Sequence, residues 1–379
     1  MNRGLLSHDR TTYIEVDLKA IAQNIQAVRK LIGSSVELMP VVKANAYGHG
    51  AVEVAKTAVE HGADRLAVNR VAEGLELRRA GISVPIVVLG YAGQGEMGAV
   101  VEHDLTPTIT ELPVAKALSA QALESGKEVD LHVKVDTGMG RLGLLPQEIV
   151  PFFKRLVKFP GIHAEGIFTH FSVADSKKVR DRKYTREQFK TFQKVLAEIA
   201  NAGFDIPLRH VANSAATMYY PETHLDLVRP GIIIYGLPPA ADHKPTLSLK
   251  PALSLKSRVA RIRTLPARSS LGYGRRFTAK KKTAIALVPV GYGDGYHRLL
   301  STRGEVLING KRAPIVGTIS MDQLMVDVSR VGAVKIDQEV VLLGKQGKDR
   351  ISAEEVASWA ETINYEVVSS LLPRVPRVY

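Results

Sequence analysis

The chain has 379 residues and no cysteine. That excludes disulfides, thiolate catalysis and cysteine-ligated zinc, and it suits a reducing cytoplasm. No stretch approaches the roughly 18–20 continuous apolar residues of a membrane span, so no membrane partner is expected. Residues 1–10 have no apolar core of the kind a secretory signal carries. There is no repeat, low-complexity run, heptad pattern, zinc-finger spacing or aromatic–basic RNA motif. Acids are outnumbered, 38 against 51 Lys and Arg, for a formal net charge of +13. The basic residues are spread along the chain, most densely at 177–183 and 275–282. A solvated basic surface explains them better than a nucleic-acid partner, with attraction of small anions as a secondary effect.

What is present is an ordinary globular composition, 45% hydrophobic, in a chain long enough for one large domain plus a smaller one. The stretch that organises it is Val41-Val42-Lys43-Ala44-Asn45-Ala46-Tyr47-Gly48-His49-Gly50. A short apolar run at 38–42 predicts a buried strand with Lys43 at its end. Gly48 and Gly50 let the backbone turn and approach a ligand, and a helical pattern follows. A lysine between a buried strand and a helix suits Schiff-base chemistry, because apolar surroundings favour the neutral, nucleophilic amine.

Asp17 is a good N-cap for a first helix that Gly33 closes. Strand patterns follow at 38–42, 65–68, 86–89, 106–109, 129–135, 164–169, 208–211 and 225–228, most of them separated by helical patterns. This alternation predicts a (β/α)8 TIM barrel, with a doubly wound open sheet as the competing topology. On the fifth strand His132, Lys134 and Asp136 share one face, and a polar face on a buried strand suggests a working interior. After Tyr235 a proline-rich linker leads into short alternating runs at 254–262, 283–288, 305–308, 312–316, 324–328 and 339–343, with a helix at 353–362. These predict a β-rich C-terminal domain. The expected division is 11–245 for the barrel and 246–379 for the β-rich domain, with residues 1–10 a candidate addition to the latter.

In a barrel enzyme the working residues sit at the C-terminal strand ends. Those ends offer Lys43, then Tyr47; Asp136 to Arg141; Thr169-His170-Phe171; Asn213-Ser214; and Arg229-Pro230-Gly231-Ile232. Singly each has a plainer reading: His170 as a satisfied core histidine, Arg229 as a strand cap, Asn213-Ser214 as a helix N-cap, the glycines of 136–143 as a turn. Jointly they place an amine opposite an anion cradle at Ser214 and Gly231. That combination implies pyridoxal phosphate, its aldehyde on Lys43.

The stretch 41–50 closely resembles the cofactor-attachment motif of the alanine racemase family. The likeness continues through Lys134 to Gly143, His170-Phe171, His210 to Ser214, Val228 to Gly236, Gly272-Tyr273-Gly274, Pro289 to Gly295, Gly317 to Gln323 and Thr362 to Glu366. It spans essentially the whole chain. One departure is Ser320, before Met321, where many relatives carry cysteine; it touches no catalytic role.

The resemblance implies a pyridoxal-phosphate-dependent isomerase that interconverts L- and D-alanine and supplies D-alanine for peptidoglycan. Lys43 and Tyr273 would be the two catalytic bases. Tyr47, His170, Asn213, Ser214, Arg229, Gly231, Ile232 and Tyr365 would bind the cofactor together with Lys43, and no metal is expected. Arg229 would face the ring nitrogen. Arg141 would bind the phenolic oxygen or the substrate carboxylate, oriented by a carbamylated Lys134. Met321, Asp322 and Tyr292 would line the substrate's way in. A cytoplasmic homodimer with composite active sites is implied. Weaker alternatives are a serine or broad-specificity racemase, a decarboxylase of the same architecture, and a cofactor carrier without turnover.

Overall fold

The computed structural model describes residues 11–240 and 246–379. They form two compact units. One comprises 19–46 and 51–251 (described to 240 and from 246); the other comprises 11–18, 47–50 and 252–379.

The larger unit is the expected barrel. Eight parallel strands run Glu37–Leu38, Leu66–Val68, Ile86–Tyr91, Thr106–Ile109, Val129–Lys134, Ile162–Phe168, Leu208–His210 and Leu227–Val228. The second to seventh form one continuous parallel sheet, and the first pairs with the eighth in register Glu37 to Leu227 and Leu38 to Val228. Backbone hydrogen bonds complete the ring: Val42 N to Ala67 O at 2.8 Å on one side, Asp226 N to Arg209 O at 3.2 Å on the other. The strands are apolar because helices cover their outer face and side chains fill the inside. The Leu18–Ile32 helix turns Ile21, Ile25 and Val28 inward at the spacing its sequence shows. It lies against the chain that follows the eighth strand, where Asn24 Nδ2 donates to Ile234 O at 3.1 Å and Lys250 O at 2.9 Å.

The other unit is β-rich. Its main sheet orders strands Lys311–Pro314, Glu305–Ile308, Glu339–Gln346, Leu253–Arg258, Tyr13–Val16 and Arg377–Val378, with Asp349–Ile351 paired to the third. A three-stranded sheet joins Arg261–Leu265, Thr283–Val288 and Leu324–Asp327. The expected single run at 254–262 is two strands in two sheets. Residues 11–18 also differ from expectation: Tyr13–Val16 pairs antiparallel with Leu253–Arg258 and so belongs to this unit rather than to the barrel. That pairing joins residues some 240 positions apart, a separation at which local pattern carries no signal. The proposed role for residues 1–10 and the linker at 241–245 lie outside the described residues.

Candidate active site

Lys43 stands where the first barrel strand ends. Val41 is fixed from both sides: its N–H donates to Pro230 O at 2.9 Å, and its carbonyl accepts from the buried Tyr235 hydroxyl at 2.8 Å. The turn after Lys43 does not begin at its glycines. Ala44, Asn45, Ala46 and Tyr47 all have φ between 51° and 54°, a left-handed turn of four L-residues. Each such residue costs about 1–2 kcal/mol, so the surroundings must impose the turn. Glu73 Oε1 accepts from Ala44 N at 2.6 Å, and Asn45 Oδ1 accepts from Ala51 N at 2.8 Å. Burial, then the nearby Arg141, lower the Lys43 pKa against the opposing pull of Glu73. That moves the amine toward its nucleophilic form.

Lys134 lies inside the barrel, 7% exposed, its ammonium 5.2 Å from the Phe168 ring centroid. Burial and the cations Arg141, Arg229 and Lys43 bring it down to about 8. Asp136 accepts from the amides of Gly138, Gly140 and Arg141 at 2.8, 3.0 and 3.0 Å, which shapes the loop that carries Arg141. Burial would raise this carboxyl, but the amides prevail and lower it, so it stays an anion committed to its own loop. Gly143 is required there, since a Cβ would sit 2.7 Å from Asp136 N at a φ of +137°. The glycines are therefore a turn, as the plainer reading held, and one that positions Arg141.

His170 follows the sixth strand, half-buried. Burial first, then Arg229, Arg141, Lys134 and Lys43, keep its imidazole neutral. Arg229 is 3% exposed, with its guanidinium 5.2 Å from the Phe168 ring. Its Nη2 donates to Thr169 O at 2.8 Å and Val211 O at 3.2 Å.

Asn213 caps the Ser214–Tyr219 helix, its Oδ1 accepting from Ala216 N at 3.0 Å. Gly231 N donates to Ser214 Oγ at 2.8 Å. The serine oxygen thus accepts from inside the fold and keeps its own proton for another acceptor. Ile232 opens a 3-10 turn, so its amide has no partner within that turn.

The β-rich unit carries the remaining candidates. Tyr47 and Tyr365 have ring centroids 6.2 Å apart, and burial pushes the Tyr47 phenol up to about 12. Tyr292, Met321 and Asp322 meet where Tyr292 N donates to Ser320 O at 3.1 Å and Gly293 N to Met321 O at 2.8 Å. Sequence reasoning missed Arg374, which clamps Asp322 at 2.6 Å and Asp294 at 2.8 Å. It also missed Glu73 beneath the Lys43 turn. Tyr273 is 72% exposed, on a turn with Gly272 at φ 71° and Gly274 at φ 69°. Its carbonyl accepts from Thr318 Oγ1 at 2.8 Å, and Leu265, Leu271, Ala279, Ile285 and Val316 form a small core nearby in the chain. Between Asp242 and Asp294 there is no acidic residue, while Lys and Arg recur throughout. The excess positive charge of the chain is concentrated in the segment that presents Tyr273.

Four basic side chains and a hydroxyl with its proton unspent stand at or just beyond the C-terminal ends of barrel strands, the place where enzymes of this fold carry their chemistry. Known proteins agree. The family described as Alanine racemase, N-terminal domain matches residues 16–239, and Alanine racemase, C-terminal domain matches 252–379. The alanine racemase of Desulforamulus reducens is 47% identical over 97% of this chain and 98% of its own length. A solved alanine racemase of Clostridium difficile superposes with TM-score 0.92 at 38% identity, covering 98% and 96% of the two chains. The structure of the Bacillus anthracis alanine racemase with bound L-Ala-P gives 0.92 at 39%, covering 97% and 95%. The chain belongs to the alanine racemase family, isomerases known to depend on pyridoxal phosphate. The donor set fits that cofactor. It offers an amine shifted toward neutrality, a buried donor-only guanidinium, an unspent hydroxyl and amide, and cations in excess over the carboxylates Asp136 and Glu73, both of which accept from backbone amides. Among the described residues no helix is long and apolar enough to cross a membrane.

Proposed function

We propose that this chain interconverts L-alanine and D-alanine, with Lys43 and Tyr273 handling the proton on opposite faces of the substrate. The observation that carries the reading is Lys43 itself: an amine made less basic by burial and Arg141, at the end of the first barrel strand. Bound pyridoxal phosphate would supply an electron sink that makes the α-proton of an amino acid removable near neutral pH. Lys43 would hold its aldehyde. Ser214, Gly231, Ile232, Tyr47 and Tyr365 would hold the phosphate; Asn213 and His170 would also bind the cofactor, and His170 with Arg229 would favour the phenolate of Tyr273.

Arg229 would face the ring nitrogen. A guanidinium gives up no proton, so this partner leaves the ring a weaker sink and restrains side reactions such as transamination. Arg141 would bind the phenolic oxygen or the substrate carboxylate. Lys134, at about 8, has neutral amine available to add carbon dioxide. Starting from the ammonium, two protons leave, one to free the amine and one as the carbamate forms, and a cation among cations becomes an anion able to orient Arg141. Met321, Asp322 and Tyr292 would line the substrate's way in. Inverting a stereocentre takes a proton from one face and returns one to the other, and two fixed groups do this without moving. The product D-alanine would serve peptidoglycan synthesis in the cytoplasm.

The purified protein should absorb in the visible, lose that band on borohydride treatment, and convert L-alanine to the racemate. A colourless protein that takes up no added pyridoxal phosphate overturns the reading.

The exposure of Tyr273 supports a homodimer in which it serves the partner's barrel. Co-expressed Lys43→Ala and Tyr273→Phe chains should then form mixed dimers with one intact site each, recovering about a quarter of wild-type activity if chains pair at random. Activity that stays at the level of the two single variants sinks the shared site.

A further inference from the structure

Behind Arg229 the barrel holds a run of polar side chains that the chemistry above leaves unused. Arg229 Nη1 lies 2.7 Å from His210 Nδ1. His210 Nε2 lies 2.9 Å from His132 Nδ1, and His132 Nε2 is 3.4 Å from Glu165 Oε2. Arg65 grips Glu165 through Nη1 at 2.9 Å and Nη2 at 2.7 Å, and its Nε donates to Glu37 at 2.6 Å. Both histidines are fully buried. Arg229 follows the eighth strand, while Arg65 and Glu37 stand where the second and first begin, so the run extends from barrel mouth to floor. Space for it is built in: a Cβ on Gly166 would meet the His132 ring at 2.6 Å.

The hydrogens in this run can point only one way. Arg229 donates and never accepts, so His210 Nδ1 must be the acceptor and His210 carries its proton on Nε2. That proton goes to His132 Nδ1, which places the His132 proton on Nε2, facing Glu165. Arg65 is also donor-only, so the group between the two arginines must accept from both sides. An ionised carboxylate does. Burial would raise Glu165, but the hydrogen bonds from His132 and Arg65 outweigh it and hold it at about 2. Burial likewise lowers both imidazoles, which keeps them neutral.

We propose that Glu165 is a positioning residue for Arg229: as the acceptor at the barrel floor it fixes His132 and His210 as Nε2–H tautomers and so anchors one arm of the guanidinium. Carbonyls of Thr169 and Val211 anchor the other arm. The donors that remain are then directed rather than free to rotate. Glutamine at 165 breaks the pattern. Its amide either presents a donor to Arg65 or presents one to His132, and the second choice reverses both histidines and sets a donor of His210 against Arg229. The proton directions follow from these side chains alone; only the kinetic consequence rests on the racemase reading.

The test uses the full-length apoprotein with 15N-labelled histidine and two-bond 1H–15N spectra, assigned through His132→Asn and His210→Asn. Wild type should show both residues as neutral Nε2–H tautomers at neutral pH. In Glu165→Gln, His210, which does not touch residue 165, should reverse its tautomer where the amide nitrogen faces His132 and keep it where the amide oxygen does; Glu165→Asp should keep the wild-type pattern. In the cofactor-loaded enzyme Glu165→Gln should lower kcat about tenfold with KM for alanine nearly unchanged, as loss of an orienting partner does elsewhere. A wild-type His210 protonated on Nδ1, or a Glu165→Gln enzyme with unchanged kcat, overturns the proposal. The wild-type spectrum decides even if the variant fails to fold. Correct tautomers in a protein that does not racemise alanine would sink the functional reading and leave the one-way chain standing.

Discussion

Lys43→Ala should abolish racemisation, lowering turnover roughly 10,000-fold or more, and leave no borohydride-fixable absorbance on the protein. Two roles are lost at once, the amine that holds the cofactor and one of the two proton-handling groups, and general-base catalysis alone typically contributes about 100- to 10,000-fold. The fold should survive the change. The amine is one of several cations clustered at the barrel mouth, so removing it relieves like-charge repulsion. Lys134 should consequently titrate higher in the variant, because Lys43 is among the charges that lower it. Added methylamine should restore a small part of the turnover, since a free amine must be recruited from solution where Lys43 is already placed. A variant that keeps a tenth of wild-type activity, with no contaminating enzyme, removes Lys43 from the mechanism.

For Tyr273→Phe the expected loss is about 100- to 10,000-fold in both directions, with cofactor absorbance retained and KM changed little. L- and D-alanine have equal free energy in water, so kcat/KM must fall equally from either side. The informative readout is deuterium exchange. With one proton-handling group intact, a single antipode should exchange its α-hydrogen with solvent without inverting, while the other exchanges far more slowly. Equal exchange of both antipodes would mean that one mobile group serves both faces. Phenylalanine retains the ring and the backbone, and the turn is set by Gly272, Gly274 and the Thr318 contact to the Tyr273 carbonyl, so the fold should survive.

Much of this site can be read along the chain because barrel chemistry is local to strand ends. Lys43, His170, Ser214 and Arg229 each follow a strand whose apolar run is visible in sequence, and parallel order then brings them to one mouth. The polar face of the fifth strand points into the barrel, with His132 and Lys134 buried. Other features gave weaker signals. Glycines drew attention to the turn after Lys43, yet the left-handed residues are Ala44 to Tyr47, held there by Glu73 and Asn45 rather than by intrinsic preference. Arg374 sits in an unremarkable C-terminal stretch, and its two carboxylate partners lie 52 and 80 positions away.

The sequence by itself determined which residues stand at strand ends, because the alternation of apolar strands with helices is a short-range pattern, and it identified the family through motifs of a few residues each. Only the tertiary structure decided which side chains meet across the barrel. The Arg229–His210–His132–Glu165–Arg65 chain and the Ser214–Gly231 bond depend on closure of the ring, and the place of Tyr13–Val16 depends on a pairing with residues some 240 positions away. Hydrogen bonds are short and directional, so they form only once distant strands are fixed to within a fraction of an ångström, a precision that no local pattern encodes.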